Sequence, residues 1–379
     1  MTMVIMLPIP KTKMPVIVIG CGVVGLTTAL MLQRTQRYSV TAVGRDTPED
    51  LRGPHGISQS WASPFAGANW RPYSADHEQQ MQAAEQQTYF MMRDIARDSP
   101  QAGVKIVPIA DFGSSKGERG TKPRFLGYVK GVQKIERRLW PQNAVFGYSY
   151  DSVIVNVPLY MSWLAAEFKS LGGTVRKGEL EHISDALRYV EGGRCVAIVN
   201  CAAMGSYSLG GVGDTSVYPI RGQTLLVRAP HVDLTVTVPG SSEDRATYVI
   251  PRGDGTVILG GVFEKGSADA RQDIQTTDEI LHNCLGVCPQ LLSHHPAGRS
   301  FDNPVSKADV EELRKKIIAI NVGFRPSRKG GPRLEVQRMG EIAVIHNYGQ
   351  SSYGYQTSWG YASIAVRMLD AALSVNAKL

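Results

Sequence analysis

Residues 15–25 read PVIVIGCGVVG, and the fold follows from this stretch. A β-branched apolar run ends in Gly20-x-Gly22-x-x-Gly25, and LTTALMLQRTQ then continues with helical spacing, which predicts strand, tight turn and helix. Glycines at these positions let the backbone turn sharply, approach a pyrophosphate and pack the helix on the strand. The helix N-terminus then presents unpaired N–H groups to the anion. SVTAV at 39–43 supplies a second strand, so a βαβ unit of the dinucleotide-binding kind opens the chain. The residue that contacts the ribose in such units is an acid some twenty positions on. Asp46 stands there, but its neighbour Arg45 makes a phosphate or adenine contact equally reasonable, and the spacing does not separate NAD, NADP and FAD.

Outward from this unit the pattern changes. Residues 75–97 (ADHEQQMQAAEQQTYFMMRDIAR) and 158–171 (PLYMSWLAAEFKSL) predict amphipathic helices, the second with Pro158 suited to a first turn. Strand-like stretches at 217–227, 234–238, 248–251 and 256–263, separated by Gly, Ser and Asp, predict a mostly antiparallel sheet. A short strand at 343–346, a Gly/Ser turn and a helix over 358–374 close the chain. The expectation is therefore an α/β protein in which a Rossmann-like domain (14–75, 152–220 and 318–379) interleaves with a mostly antiparallel-sheet substrate domain (76–151 and 221–317). Residues 1–13 form an N-terminal extension.

Composition restricts the function classes. With 379 residues, 43% hydrophobic and 20% charged, the chain can bury a large core, and no apolar run nears the ~20 residues that span a bilayer. MTMVIMLPIP has neither the basic start nor the length of a secretory signal. Five cysteines without C-x-x-C or zinc spacing predict free thiols in a reducing compartment; Cys284 and Cys288 read as helical neighbours rather than a redox pair. The net charge of +7 concentrates in 116–138, where eight Lys or Arg stand against two Glu. Glycines and Pro123 break that stretch and no nucleic-acid motif accompanies it, so it reads as a solvated loop. Neither a nucleic acid nor a membrane is expected as a partner. His294-His295 and His346 do not form a metal-ligand pattern, and no metal is expected.

VIHNYGQSSYGYQTSWGYA at 344–362 closely resembles the signature of the FAD-dependent D-amino-acid oxidase family. ASPFAGANW (62–70), PIRGQT (219–224), TYVIPR (247–252) and GFRPSRKGGPR (323–333) resemble the same family, its fungal members in particular. The resemblance implies FAD as cofactor, with Gly20, Gly22 and Gly25 on its pyrophosphate beside Val23 and Val24. Arg45, Asp46, Ser58 and Gln59 would assist, Gly67, Asn69 and Leu180 would approach the cofactor, and Ser351, Gly354, Tyr355 and Gln356 would lie along the flavin. It further implies Arg325 as a bidentate carboxylate clamp, Tyr248 as a second donor to that carboxylate, and the Ser352 carbonyl as amine acceptor, with Gln356 assisting through water. The implied reaction is oxidative deamination of a D-amino acid by hydride transfer from Cα to flavin N5, without a side-chain acid or base. Dioxygen is the acceptor, and the products are a 2-oxo acid, ammonia and hydrogen peroxide.

Two departures from the family pattern bear on this. In GGVFEKG, Phe263 stands where some fungal members carry a tyrosine and where relatives that prefer D-aspartate tend to carry an arginine. Neutral or apolar D-amino acids are therefore expected, with D-aspartate oxidase as the alternative, since Arg245 could reach an acidic side chain from a loop. NCAAMG at 200–205 replaces a more usual Ala-Thr-Gly turn. The ending Ala377-Lys378-Leu379 keeps the small-basic-leucine pattern of a peroxisomal address, so the peroxisome and its import receptor are expected. A homodimer is compatible with the resemblance, though no interface is legible.

Overall fold

The computed structural model describes residues 12–52, 57–75, 77–113, 123–295 and 300–376. The Ala377-Lys378-Leu379 ending, most of the N-terminal extension and 116–122 of the basic stretch lie outside the described residues. Two sheets organise the rest, and the α/β expectation is met.

The first sheet has six strands in the spatial order Arg333–Met339, Ile342–Tyr348, Ala197–Asn200, Met14–Ile19, Tyr38–Gly44 and Thr174–Lys177. All neighbours are parallel except the first pair. Period-two alternation explains its two buried faces. Val16 and Val18 join a core with helices α1 (Val23–Arg34), α2 (Gln79–Asp98) and α3 (Val157–Ser170). Ile17 and Ile19 face the opposite way, towards Ile183, Ala186 and Leu209. One face thus carries α-helices and the other a covering of short 3₁₀ segments.

The second sheet has nine strands: Glu264–Lys265, Val217–Arg228, Thr256–Val262, Arg245–Pro251, Thr235–Pro239, Val104–Gly113, Phe146–Val155 and Gln133–Lys134, with Ile317–Arg328 on the other edge of Val217–Arg228. Its pairings are antiparallel save one, between Val104–Gly113 and Thr235–Pro239. Val249, Val257 and Leu259 pack on α4 (Ile274–Val287), while Ile250 and Ile258 share the other face with Tyr248. That second face is turned towards the cavity described below. The helix α5 (Lys307–Arg314) lies beside α4, and α6 (Gly354–Asn376) packs on α1 and α2.

The expected domain boundaries at 152, 220 and 318 each fall inside a strand of the nine-stranded sheet: Phe146–Val155, Val217–Arg228 and Ile317–Arg328. The chain passes between the two sheets at the ends of these strands. All five cysteines are buried and free. Among the described residues no helix is long and apolar enough to cross a membrane.

Candidate active site

A cavity of about 1880 Å³ lies between the two sheets, and its lining runs from the Gly20–Gly25 turn to Arg325. The turn end is built by close approach. Gly20 has φ +104°, and a Cβ there would sit 2.4 Å from the Cys201 carbonyl oxygen. At Gly25 a Cβ would sit 1.8 Å from the carbonyl oxygen of Gly20. Both contacts are with backbone, so side chains are excluded where strand and helix meet. Helix α1 starts at Val23, whose N–H donates to Ser63 Oγ at 3.0 Å; those of Val24 and Gly25 have no acceptor within the helix. The start of α6 stands against the same point, because a Cβ on Gly354 would lie 3.7 Å from Val23 Cγ1 and 3.9 Å from Val24 Cγ2. Two positive helix ends therefore converge on one end of the cavity.

Arg45 and Asp46 line the wall beyond the strand Tyr38–Gly44, as does Leu180. They pair with each other, Arg45 Nη2 donating to Asp46 Oδ2 at 2.9 Å and also to Ser60 Oγ. Ser58 and Gln59 are not in the wall. Ser58 Oγ bonds Ser60 Oγ at 2.8 Å, and Ser60 does line the cavity, while Gln59 donates to the Ala270 carbonyl at 3.1 Å. Gly67 and Asn69 line the middle, where a Cβ on Gly67 would press 2.8 Å from Ile250 Cδ1. Ser351, Ser352, Gly354, Tyr355 and Gln356 form the facing wall. Ser351 has φ +50° and accepts from Ser327 Oγ at 2.6 Å; Tyr355 donates its hydroxyl to the Ser63 carbonyl at 3.1 Å, tying α6 to the loop before Gly67.

At the other end, strand alternation turns Tyr248 and Arg325 into the cavity, and glycines opposite them leave the room. A Cβ on Gly222 would lie 2.4 Å from Arg325 Nη1, and one on Gly260 would lie 2.2 Å from Tyr248 Cζ. Arg325 Nη1 donates to the Val262 carbonyl at 2.9 Å, and the guanidinium sits 4.2 Å from the centre of the Phe263 ring. Among the described residues no carboxylate pairs with it. Burial pulls the Arg325 guanidinium below its usual range while the nearby Tyr248 oxygen opposes this. Burial also pushes Tyr248 up, and the Arg325 cation opposes that shift. An arginine keeps its proton in either case. The result is a half-buried fixed cation beside a neutral phenol, a donor set suited to a small anion.

Glu85, which the sequence reading did not single out, joins three parts of this wall. It is 1% exposed on α2, accepts the Tyr73 N–H at 2.9 Å and the Ser74 hydroxyl, and accepts from Gln356 Nε2 at 3.0 Å. Burial pushes its carboxyl up, and the three donors partly offset this. Gln356 Nε2 is thus committed to Glu85, which leaves the amide carbonyl oxygen as the end without a partner among the described residues. The expected assistance to the substrate amine through water would fall to that oxygen. A signal for Glu85 does exist in the sequence: it falls in the buried stripe Met81, Ala84, Thr88, Tyr89 and Met92, where an acid is out of place.

Residues 15–368 match the DAO family, described as FAD dependent oxidoreductase. The chain belongs to this family. It is 30% identical over 357 residues to the D-amino-acid oxidase of Schizosaccharomyces pombe, covering 93% of this chain and 95% of that one. It is also 30% identical over 368 residues to the D-aspartate oxidase of Talaromyces thermophilus, covering 92% of each. Among solved structures, glycine oxidase from Geobacillus kaustophilus superposes with a TM-score of 0.66 at 17% identity, over 95% of both chains, a likeness of fold. The protein is an oxidoreductase and its cofactor is FAD.

The residues present fit that cofactor. Glycines at 20 and 25 let strand and helix close up where a Cβ would meet backbone, and the first N–H groups of α1, without helical acceptors, stand on the cavity wall where a diphosphate would be held. Trp61 is 7% exposed beside Gly22, and its indole N–H has no partner among the described residues, a donor left over at the place an anion would sit. The start of α6 would face a charge developing on the flavin ring.

Proposed function

We propose that the protein oxidises neutral and apolar D-amino acids to 2-oxo acids, releasing ammonia and passing electrons to dioxygen as hydrogen peroxide. The observation that carries this is Arg325, a half-buried guanidinium on the cavity wall without a carboxylate partner among the described residues, beside Tyr248 and across from the glycine turn. The D-amino-acid oxidase relatives support the same reading. FAD supplies the two-electron acceptor. Arg325 holds the substrate carboxylate by paired N–H donors, and the Tyr248 hydroxyl adds a third. The carbonyl oxygens of Gln356 and Ser352 accept the amine N–H groups and so orient the amine, whose lone pair the oxidation requires. No side chain has to move a proton from Cα.

The preference for neutral side chains rests on the charges already matched in the wall. Arg245 pairs with Asp244 at 3.0 Å and lies 3.5 Å from Glu279; Arg71 pairs with Asp111 at 2.6 Å. Lys265 is exposed in solvent at the rim, where its charge is screened. The acidic-substrate alternative draws on Arg245 lining the cavity and on the D-aspartate oxidase relatives. An anaerobic absorbance spectrum with successive D-alanine, L-alanine and D-aspartate separates the two. Fast bleaching of the flavin band by D-alanine, slow bleaching by D-aspartate and none by L-alanine is expected. Fast bleaching by D-aspartate alone would transfer the proposal to the acidic class.

The Ala377-Lys378-Leu379 ending supports a peroxisomal location. Deleting these three residues should leave turnover intact and render a fluorescent fusion cytosolic. Continued import would sink that part of the proposal.

A further inference from the structure

Away from the cavity, His294 and His295 face the first turns of α5. His295 Nε2 lies 3.1 Å from Asp309 Oδ1, and His294 Nε2 lies 4.0 Å from that same oxygen. The two ring centres are 4.3 Å apart. His294 turns its other nitrogen, Nδ1, to Glu312 Oε1 at 3.6 Å. Asp309 Oδ2 is held by Ser306, whose N–H donates at 3.2 Å and whose hydroxyl donates at 2.6 Å. One ligand atom from each of His294, His295 and Asp309 falls within 4.8 Å of the other two.

We propose that His294, His295 and Asp309 bind a divalent transition-metal ion of zinc-type chemistry, clipping the turn that carries the histidines to α5. The distances have the right span. Two bonds of ~2.1 Å at a tetrahedral angle separate ligand atoms by roughly 3.4 Å, and the observed 3.1 and 4.0 Å bracket that value. The donor set selects the metal: two imidazoles and one carboxylate suit zinc, copper or nickel, whereas magnesium and calcium prefer all-oxygen shells. All three residues are partly solvent-accessible, so water completes the coordination.

The surroundings are those of a ligand set rather than of a helix cap alone. Capping α5 requires only the Asp309 oxygen that Ser306 holds, and this bond aims the other oxygen at the histidines. Nothing in a cap calls for two imidazoles on one carboxylate oxygen. Glu312 lies 3.6 Å from the far nitrogen of His294, within reach of the carboxylate–histidine–metal arrangement that orients such rings once the turn is clipped. Asp309 and Glu312 are three apart on α5, and so share a face. Adjacent histidines lack ligand spacing along the chain, so no metal is expected from sequence; the missing ligand comes from a helix fourteen residues on.

The test uses FAD-loaded protein freed of metals by chelation and titrated calorimetrically with zinc chloride. One equivalent of zinc should bind per chain, and the unfolding midpoint should rise with zinc concentration by mass action. The His294→Ala/His295→Ala double variant should lose both effects while keeping its flavin spectrum and its turnover. Magnesium chloride at the same concentration should produce neither effect in the unmodified protein. Absence of zinc binding, equal binding by the double variant, or equal binding of magnesium would each overturn the proposal.

Discussion

Replacing Arg325 by alanine should lower kcat/KM for D-alanine by about 10²–10³-fold, mostly through KM, with the flavin absorbance spectrum unchanged. The guanidinium is the fixed cation at its end of the cavity, and Tyr248 alone offers one neutral donor in place of a bidentate charged pair. A carboxylate drawn into that end without a counter-charge must shed its water for little return. The loss should exceed that of Tyr248→Phe, which removes one hydrogen bond and leaves the ring between Gly260 and Gly67. Arg325→Lys should recover only part of the loss, because an ammonium cannot both donate to the Val262 carbonyl, as Nη1 does at 2.9 Å, and present two parallel donors to the substrate. Steady-state kinetics with a flavin spectrum on each variant checks this, and unchanged kinetics in Arg325→Ala would remove Arg325 from the substrate site.

How much of this site the sequence carries can be traced residue by residue. Gly20, Gly22 and Gly25 are legible because their function is local: strand, turn and helix are contiguous, and the glycines are required by contacts within that unit. Arg325 and Tyr248 are legible only through family resemblance, since 77 positions separate them and nothing local marks either. Their convergence depends on the pairing of Arg325 with Ile220 and of Tyr248 with Gly260 across two different strand contacts. The strands Val104–Gly113 and Phe146–Val155 are not announced by alternation. Lys105 and Pro108 interrupt the first, and the second is buried at its end on both faces. Glu85 escapes for the opposite reason. Its helix is evident, but its partners Tyr73, Ser74 and Gln356 come from a loop and from another helix 271 positions away.

The glycine turn gives the second large effect. Gly25→Ala should weaken FAD binding by roughly 10–100-fold, corresponding to the ~1–3 kcal/mol typical of overpacking in a site that relaxes poorly. The new methyl would stand 1.8 Å from the Gly20 carbonyl oxygen, so one of the two backbones has to shift. Gly20 has nowhere to go. Its N–H is bonded to the Val43 carbonyl at 2.7 Å, and its own α-carbon faces the Cys201 carbonyl, so it is locked between two neighbouring strands of the parallel sheet. Relief must come from α1 lifting off the sheet, which carries the N–H groups of Val24 and Gly25 away from the diphosphate. Gly22→Ala provides the contrast, since its methyl would meet Ser63 Oγ at 2.9 Å, a side-chain atom that can rotate aside. The milder variant should therefore bind FAD within a few-fold of the unmodified protein. Reconstitution of apoprotein followed by flavin fluorescence, with circular dichroism to verify the fold, measures both. If Gly25→Ala bound FAD as tightly as Gly22→Ala, close packing of α1 on the sheet would not be what positions the diphosphate.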